Sequence, residues 1–126
     1  MNTQRKHCFE IAKRIVVKVG SNVLAEDDGL NLNIIRSFSR QISHLTDKGV
    51  EVILVSSGAM AAGLRKIGLT KKPDDIPQRQ AVAAVGQAGL IMEYEKAFEQ
   101  YGKKVAQYSA DRRRIVSAQT LISMPR

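Results

Sequence analysis

The sequence is poor in cysteine, proline and aromatic residues, and it has no tryptophan. Cys8 is its single cysteine, so no disulfide can form within the chain and a secreted disulfide scaffold is excluded. A lone thiol fits a reducing compartment, and we expect the protein to be cytoplasmic. Neither Cys8 nor the two histidines, His7 and His44, show metal-ligand spacing, so we predict no metal site in this chain. No apolar run is long enough to cross a bilayer, which predicts no membrane partner.

Positive charge is abundant but scattered. The formal net charge is +8 and the pI is about 9.9, which favours either a nucleic acid or an anionic small molecule as partner. The cationic residues are spread along the whole chain, and only three tyrosines and three phenylalanines are available for base stacking. No helix is predicted to carry a basic stripe with interleaved aromatics. We therefore predict no nucleic-acid partner, and nucleic-acid binding ranks only third among the functions that we consider.

A first buried strand is predicted at residues 14–19, within the segment RIVVKVGSNVL. Its β-branched residues are typical of a strand in a parallel α/β sheet. Lys18 lies near the carboxyl end of this strand, where open α/β sheets bind their ligands, and Gly20 leaves room beside the backbone. Lys18 can therefore meet an anionic ligand there. The structural alternative is a lysine that only extends into solvent at the edge of the sheet.

A second strand and its loop follow one helix later. Spacing of apolar residues predicts a helix over residues 33–47, capped by Asn31 or Asn33, and VEVILV predicts a strand over residues 50–55. Strand, helix and strand together indicate a right-handed βαβ unit. The small residues from Ser56 to Gly63 then lead into a helix N-terminus, where free backbone amides favour an anion. The structural alternative is that a serine only caps this helix.

A long helix is predicted over residues 78–100, with Pro77 in its first turn and a third strand beginning at Lys103. We expect one side of this helix to be formed by Ala81, Val82, Val85, Ala88, Gly89 and Met92. Gly86 and Gly89 each lower helix propensity by roughly 1 kcal/mol. Close approach of another helix or of a subunit would offset that loss, so the formation of a homo-oligomer is an open alternative. Residues 20–29 are predicted to be a loop.

Three segments in order resemble a known family. They are KVGSNVL at residues 18–24, VSSGAMAAGL at 55–64 and QAVAAVGQAGLI at 80–91. Together they are similar to the N-terminal part of the glutamate 5-kinases, a branch of the amino acid kinase family. The resemblance implies an α/β fold, a parallel sheet with helices on both faces in an αβα sandwich, here truncated. It also implies ATP-dependent phosphorylation of the side-chain carboxylate of L-glutamate, the first step of proline biosynthesis.

The resemblance assigns roles to two groups of residues. Lys18 would be the catalytic residue and would contact the ATP phosphates, with Gly20 and Ser21 lining the same loop. Ser57 and the backbone of Gly58 and Ala59 would hold L-glutamate. Phosphoryl transfer from ATP implies Mg²⁺ as a cofactor, although no residue here is assigned as its ligand.

The resemblance divides the chain into a lead-in at residues 1–13, a kinase part at 14–107 and a divergent tail at 108–126. The family continues after residue 107 with an apolar strand, whereas YSADRRRIVSAQTLISMPR has arginines and is predicted to lack that strand. Two explanations stay open. Codons can be chosen for residues 108–116 that, read one base further on, encode Ile-Leu-Leu-Thr-Ala-Asp-Glu-Leu, which favours a frameshift. The other explanation is a deletion in frame.

The leading hypothesis is therefore that the chain is part of an amino-acid kinase, and that it is inactive and poorly stable by itself. The alternative is a non-catalytic α/β module that binds a small anion or a partner subunit. Saturable binding of glutamate or ATP would favour the first, and folding that depends on a partner would favour the second.

Overall fold

The computed structural model of the chain describes residues 2–26, 29–108 and 119–124. Its helices and strands, in chain order, are α1 (Thr3–Ile11), β1 (Arg14–Val19), α2 (Ser21–Leu24), β2 (Ala25–Glu26), β3 (Gly29–Leu30), α3 (Leu32–Asp47), β4 (Glu51–Ser56), α4 (Ala59–Ile67), α5 (Ile76–Glu99), β5 (Lys104–Tyr108) and β6 (Gln119–Met124).

Four of the strands form one sheet in the order β1-β4-β6-β5. β1 and β4 are parallel, and their register places Lys18 beside Val55 and Val19 beside Ser56. This pair, with α3 between its strands in the chain, is the predicted βαβ unit. The predicted α/β class with parallel strands and packed helices is confirmed.

β6 corrects the prediction that the tail holds no apolar strand. It lies between β4 and β5 and runs antiparallel to both of them. Only residues 109–118 separate β5 from β6, and a parallel crossover needs roughly a dozen residues or more, so a strand returning after so short a segment runs antiparallel. The arginine segment and the proposed frameshift site after Tyr108 lie outside the described residues.

The core lies on one face of the sheet, beneath α3 and α5. Val19, Val52 and Leu54 are buried on this face, where they pack with apolar side chains of the two helices. The opposite face is more open, because Val16 is 62% exposed. Strand alternation explains the difference, since Val16 and Lys18 point away from the side that Val17 and Val19 occupy.

The core-facing side of α5 differs from the predicted one. Its buried residues are Val82, Gly86, Leu90, Tyr94, Ala97 and Phe98, whereas Met92 is 51% exposed. α5 carries small or apolar residues on nearly all sides, so its sequence pattern does not select a face. Of the face predicted from the sequence, Val82 is buried, and Ala81 and Ala88 are exposed.

Two smaller features complete the described fold. The predicted loop at residues 20–29 contains the one-turn helix α2 and the start of the short β2–β3 hairpin. The buried Lys103, just before β5, forms an ion pair with Asp47 at the end of α3, which ties the start of β5 to that helix.

Candidate functional site

The first loop of the site follows β1. Lys18 is exposed on the open face of the sheet, and Gly20 precedes α2 with an extended backbone. A Cβ atom added at Gly20 would meet no described atom within 4 Å. Ser21, the first residue of α2, is exposed as well. The three residues that the family resemblance assigns to phosphate binding are therefore all exposed at the carboxyl end of β1.

The second loop follows β4 and lies directly beside the first. The amide of Ser57 donates a hydrogen bond to the carbonyl of Val19, with 3.0 Å between N and O. Because β1 and β4 are parallel neighbours, both loops leave the sheet at its carboxyl edge, where α/β proteins bind ligands. The fold thus brings the predicted phosphate residues and the predicted glutamate residues together.

Gly58 sets the direction in which the chain enters α4. Its φ angle is +110°, a conformation that L side chains rarely adopt. A Cβ atom there would lie 3.4 Å from a side-chain carbon of Leu30 and 3.6 Å from Leu24. Gly58 is the N-cap residue of α4, and among the residues that the structure describes no side chain caps the helix. The structural alternative of a capping serine is therefore not what the structure contains.

The two serines at the end of β4 have different surroundings. Ser56 is buried, and its hydroxyl lies 2.9 Å from the hydroxyl of Tyr94 and donates to the carbonyl oxygen of Ser57 at 3.0 Å. Ser57 is only half-buried. Ser56 therefore supports the loop from the core, whereas Ser57 is the less buried of the two serines. The assignment of Ser57 to glutamate, which the family resemblance implies, stays a prediction.

Tyr94 is a supporting residue that the sequence analysis missed. Burial raises the pKa of its phenol above the ordinary value of 10.0, and the hydrogen bond with Ser56 opposes this rise. The only sequence signal was a tyrosine four residues after Leu90 on a helix, and that spacing is equally typical of an ordinary core position.

The start of α4 provides backbone donors for an anion. The amide of Ala62 donates to the carbonyl of Gly58 at 3.0 Å, so the amides of Ala59, Met60 and Ala61 precede the first bond of the helix. The positive end of the helix dipole adds to their effect. Lys18 is exposed beside the first loop, whereas in the second loop Ser57 and Ala59 are half-buried and Gly58 is buried. A lysine beside one loop and backbone amides in the other can hold two anionic groups side by side.

Within residues 2–26, 29–108 and 119–124, no three His, Cys, Asp or Glu side chains are grouped so that they could hold a metal ion. No metal ligand is assigned to these residues. In the same ranges, none of the helices has the length and apolarity needed to cross a bilayer.

Comparison with known proteins identifies the class. Residues 13–124 match the model of the amino acid kinase family. Because the match covers most of the 126 residues, the chain belongs to the amino acid kinase family.

The similar curated proteins are more specific. A glutamate 5-kinase of Caldanaerobacter subterraneus subsp. tengcongensis is 56% identical over 95 residues, which cover 75% of this chain and 26% of that protein. A glutamate 5-kinase of Clostridium tetani is 50% identical over 108 residues, 85% of this chain and 40% of that protein. A glutamate 5-kinase of Pelobacter propionicus is 42% identical over 120 residues, 94% of this chain and 32% of that protein. The chain therefore spans between about a quarter and two-fifths of the length of these relatives.

Both comparisons bear on the tail. The family match runs to residue 124, and the match to the Pelobacter propionicus protein covers 120 residues. They therefore include most of the segment that the sequence analysis set apart. The division at residue 107 stays a prediction.

Proposed function

We propose that this chain supplies the N-terminal part of a glutamate 5-kinase, which uses ATP to phosphorylate the side-chain carboxylate of L-glutamate. The observation that carries the proposal is the hydrogen bond of 3.0 Å between the Ser57 amide and the Val19 carbonyl. It holds the ends of β1 and β4 side by side, so the two loops that follow these strands leave the sheet next to each other. Because the chain covers 26 to 40% of the relatives described above, the complete reaction needs elements beyond those assigned here. The reaction implies a cytoplasmic role at the start of proline biosynthesis.

Each loop has its own task in this proposal. Lys18 contacts the phosphates of ATP, and Gly20 and Ser21 line the surface on which those phosphates rest. Ser57 donates its hydroxyl to the substrate glutamate, and the backbone of Gly58 and Ala59 completes that subsite. ATP brings Mg²⁺, which shields phosphate charge when it is bound.

Charge neutralisation is the main contribution expected from this part of the chain. The glutamate carboxylate and the γ-phosphate repel one another, and phosphoryl transfer depends on positioning and on stabilising negative charge. A unit charge at about 4 Å, with an effective dielectric constant near 20, contributes roughly 4 kcal/mol. Lys18 is the residue that supplies this charge to the transferred group. Membership of a kinase family does not favour the alternative of a non-catalytic module.

The proposal is tested in a chimera that contains the missing segments. Residues 14–107 replace the matching part of the Clostridium tetani glutamate 5-kinase, and ATP-dependent formation of glutamyl phosphate is measured. We expect the chimera to be active, and Lys18→Ala to lower kcat/KM by about 100- to 1000-fold.

The matched control is Lys48→Ala, since Lys48 is an exposed lysine that precedes β4 at the opposite edge of the sheet. Its activity should stay within about twofold of the parent chimera. An unchanged rate in the Lys18 variant would contradict the assignment of Lys18. A folded chimera that binds neither ATP nor glutamate would contradict the proposal as a whole.

A further inference from the structure

Helix α5 contacts the candidate glutamate loop at both of its ends. At one end, the Tyr94 hydroxyl bonds to that of Ser56, the last residue of β4. At the other end, α5 crosses α4 next to Ala59, the first residue of α4. Between these two contacts lie Ser57 and Gly58. Gly86 and Tyr94 are eight positions apart, or about 12 Å along the helix.

The crossing at Gly86 is too tight for any side chain. A Cβ atom on Gly86 would lie 1.6 Å from the carbonyl oxygen of Ala59 and 2.4 Å from the amide nitrogen of Gly63. These two atoms are the i and i+4 groups of the first turn of α4. The close approach is reciprocal, because a Cβ atom on Gly63 would lie 1.9 Å from the carbonyl oxygen of Val82. Both contacts are with backbone atoms, which cannot turn aside as a flexible side chain can.

Gly89 provides the contrast on the same helix. A Cβ atom there would meet no described atom within 4 Å. The loss of helix propensity at Gly86 is therefore offset by the contact with α4, whereas Gly89 makes no such contact in the described part of the chain. Of these two glycines, only Gly86 contacts the helix turn that follows the candidate loop.

We propose that Gly86 and Tyr94 are positioning residues, which together fix the Ser56–Ala59 segment against α5. The inference rests on the proposed function only for the identity of the ligand. Gly86 determines how closely α5 approaches the first turn of α4, and so where the free amides of that turn lie. Tyr94 fixes the end of β4 from which Ser57 extends. Neither residue contacts the substrate.

The test uses the ¹⁵N-labelled 126-residue chain, and compares Gly86→Ala with Gly89→Ala. The measurements are amide hydrogen exchange, resolved by residue, and the free energy of unfolding in urea. In Gly86→Ala, the α4 backbone must move away from the new methyl group. Exchange at Ala62 and Gly63 should then accelerate by about tenfold or more beyond the change in global stability. In Gly89→Ala, exchange at these amides should follow global stability alone.

The role of the second contact is tested with Tyr94→Phe, which removes one hydroxyl and keeps the packing. Exchange of the Ser57 amide, which bonds to Val19, should accelerate beyond the change in global stability. If Gly86→Ala does not fold, Gly86 is required for the fold as a whole and a role confined to positioning is overturned, while Tyr94→Phe still decides the role of Tyr94. A folded Gly86→Ala with unchanged exchange at Ala62 and Gly63 would overturn the proposal for Gly86. Unchanged exchange at Ser57 in Tyr94→Phe would overturn it for Tyr94.

Titration with L-glutamate separates this inference from the proposed function. The unmodified chain is expected to show saturable changes in the amide chemical shifts of Ser57 and Gly58. Gly86→Ala should then raise the Kd for L-glutamate by about tenfold or more, while Gly89→Ala should leave it within twofold. An equal Kd in folded Gly86→Ala would contradict the positioning role. If the amide chemical shifts of Ser57 and Gly58 do not change in the folded, unmodified chain, glutamate binding by this loop is contradicted. The exchange data would still decide the positioning role.

Discussion

At the scale of single residues, the pair of Ser56 and Tyr94 connects the core to the candidate site. Tyr94 is fully buried, and its phenol bonds to the Ser56 hydroxyl at 2.9 Å. A buried hydroxyl without a partner costs about 1–3 kcal/mol, so each of these two groups depends on the other. The pair therefore both stabilises the fold and fixes the start of the loop that carries Ser57.

Tyr94 also predicts how stability depends on alkaline pH. Its pKa is raised in the folded protein, mainly by burial, so the phenol ionises more readily in the unfolded chain. Its contribution is fully present below the unfolded pKa of 10.0, and is lost as the pH rises from there through the folded value. We expect the free energy of unfolding, measured in urea between pH 8 and about pH 11, to fall less steeply in Tyr94→Phe than in the unmodified chain.

Tyr101→Phe is the control for this pH dependence, because Tyr101 is 39% exposed. Its stability should fall with pH as it does in the unmodified chain. At neutral pH, Tyr94→Phe should lower stability by about 1 kcal/mol through loss of the bond to Ser56. Parallel pH curves for the unmodified chain and Tyr94→Phe would show that Tyr94 is not the group that titrates.

At the scale of elements, α3 shows how local sequence sets the start of a helix. The Asn31 side chain accepts a hydrogen bond from the amide of Ile34 at 3.2 Å, which satisfies one free donor of the first turn. From there, the apolar residues recur at helical spacing and bury Ile35 and Ile42 against the sheet. The end of α3 then leads through Lys48 and Gly49 to β4.

The cap predicts a measurable loss of stability. Asn31→Ala should lower the free energy of unfolding by about 1 kcal/mol, because the amide of Ile34 would lose its acceptor. Asn33→Ala is the control, since Asn33 is exposed within the first turn and is not the cap residue. It should change stability by no more than about 0.5 kcal/mol. Equal losses in the two variants, measured by urea denaturation, would rule out the cap as the cause.

At the scale of the whole molecule, one face of the sheet is covered by α3 and α5, and the other carries Val16 at 62% exposure. The family model covers residues 13–124, but the chain spans only 26 to 40% of the glutamate 5-kinases described above. In the function that we propose, the two candidate loops therefore supply only one part of the reaction centre.

We expect the 126-residue chain, assayed alone with ATP, Mg²⁺ and L-glutamate, to form no glutamyl phosphate. The reason is that the chain spans only 26 to 40% of the length of these relatives, so we expect much of the nucleotide subsite to lie outside its two candidate loops. An active chimera assayed in parallel shows that the conditions support the reaction. Turnover by the purified chain, abolished in Lys18→Ala, would contradict this expectation and assign the complete activity to these residues.

Sequence reasoning was most successful where the signal was local. β1 begins at Arg14 as predicted, α5 carries Pro77 in its first turn, and Asn31 caps α3. It was wrong about the buried side of α5, because that helix is apolar or small nearly all round. It was also wrong about the tail, where β6 forms despite a weak apolar pattern, because β4 and β5 supply hydrogen-bonding partners on both sides.

The sequence by itself determined the βαβ unit and the glycines that follow its two strands, because propensity and periodicity depend on neighbours in the chain. The assignment of Ser57 to glutamate came from the family resemblance and stays a prediction. The tertiary structure decided which groups support the two loops. The contact of Tyr94 with Ser56 joins residues 38 positions apart. The contact of Gly86 with Ala59 depends on the crossing of two helices. Such contacts are set by the packing of whole elements, and no pattern within a single element encodes them.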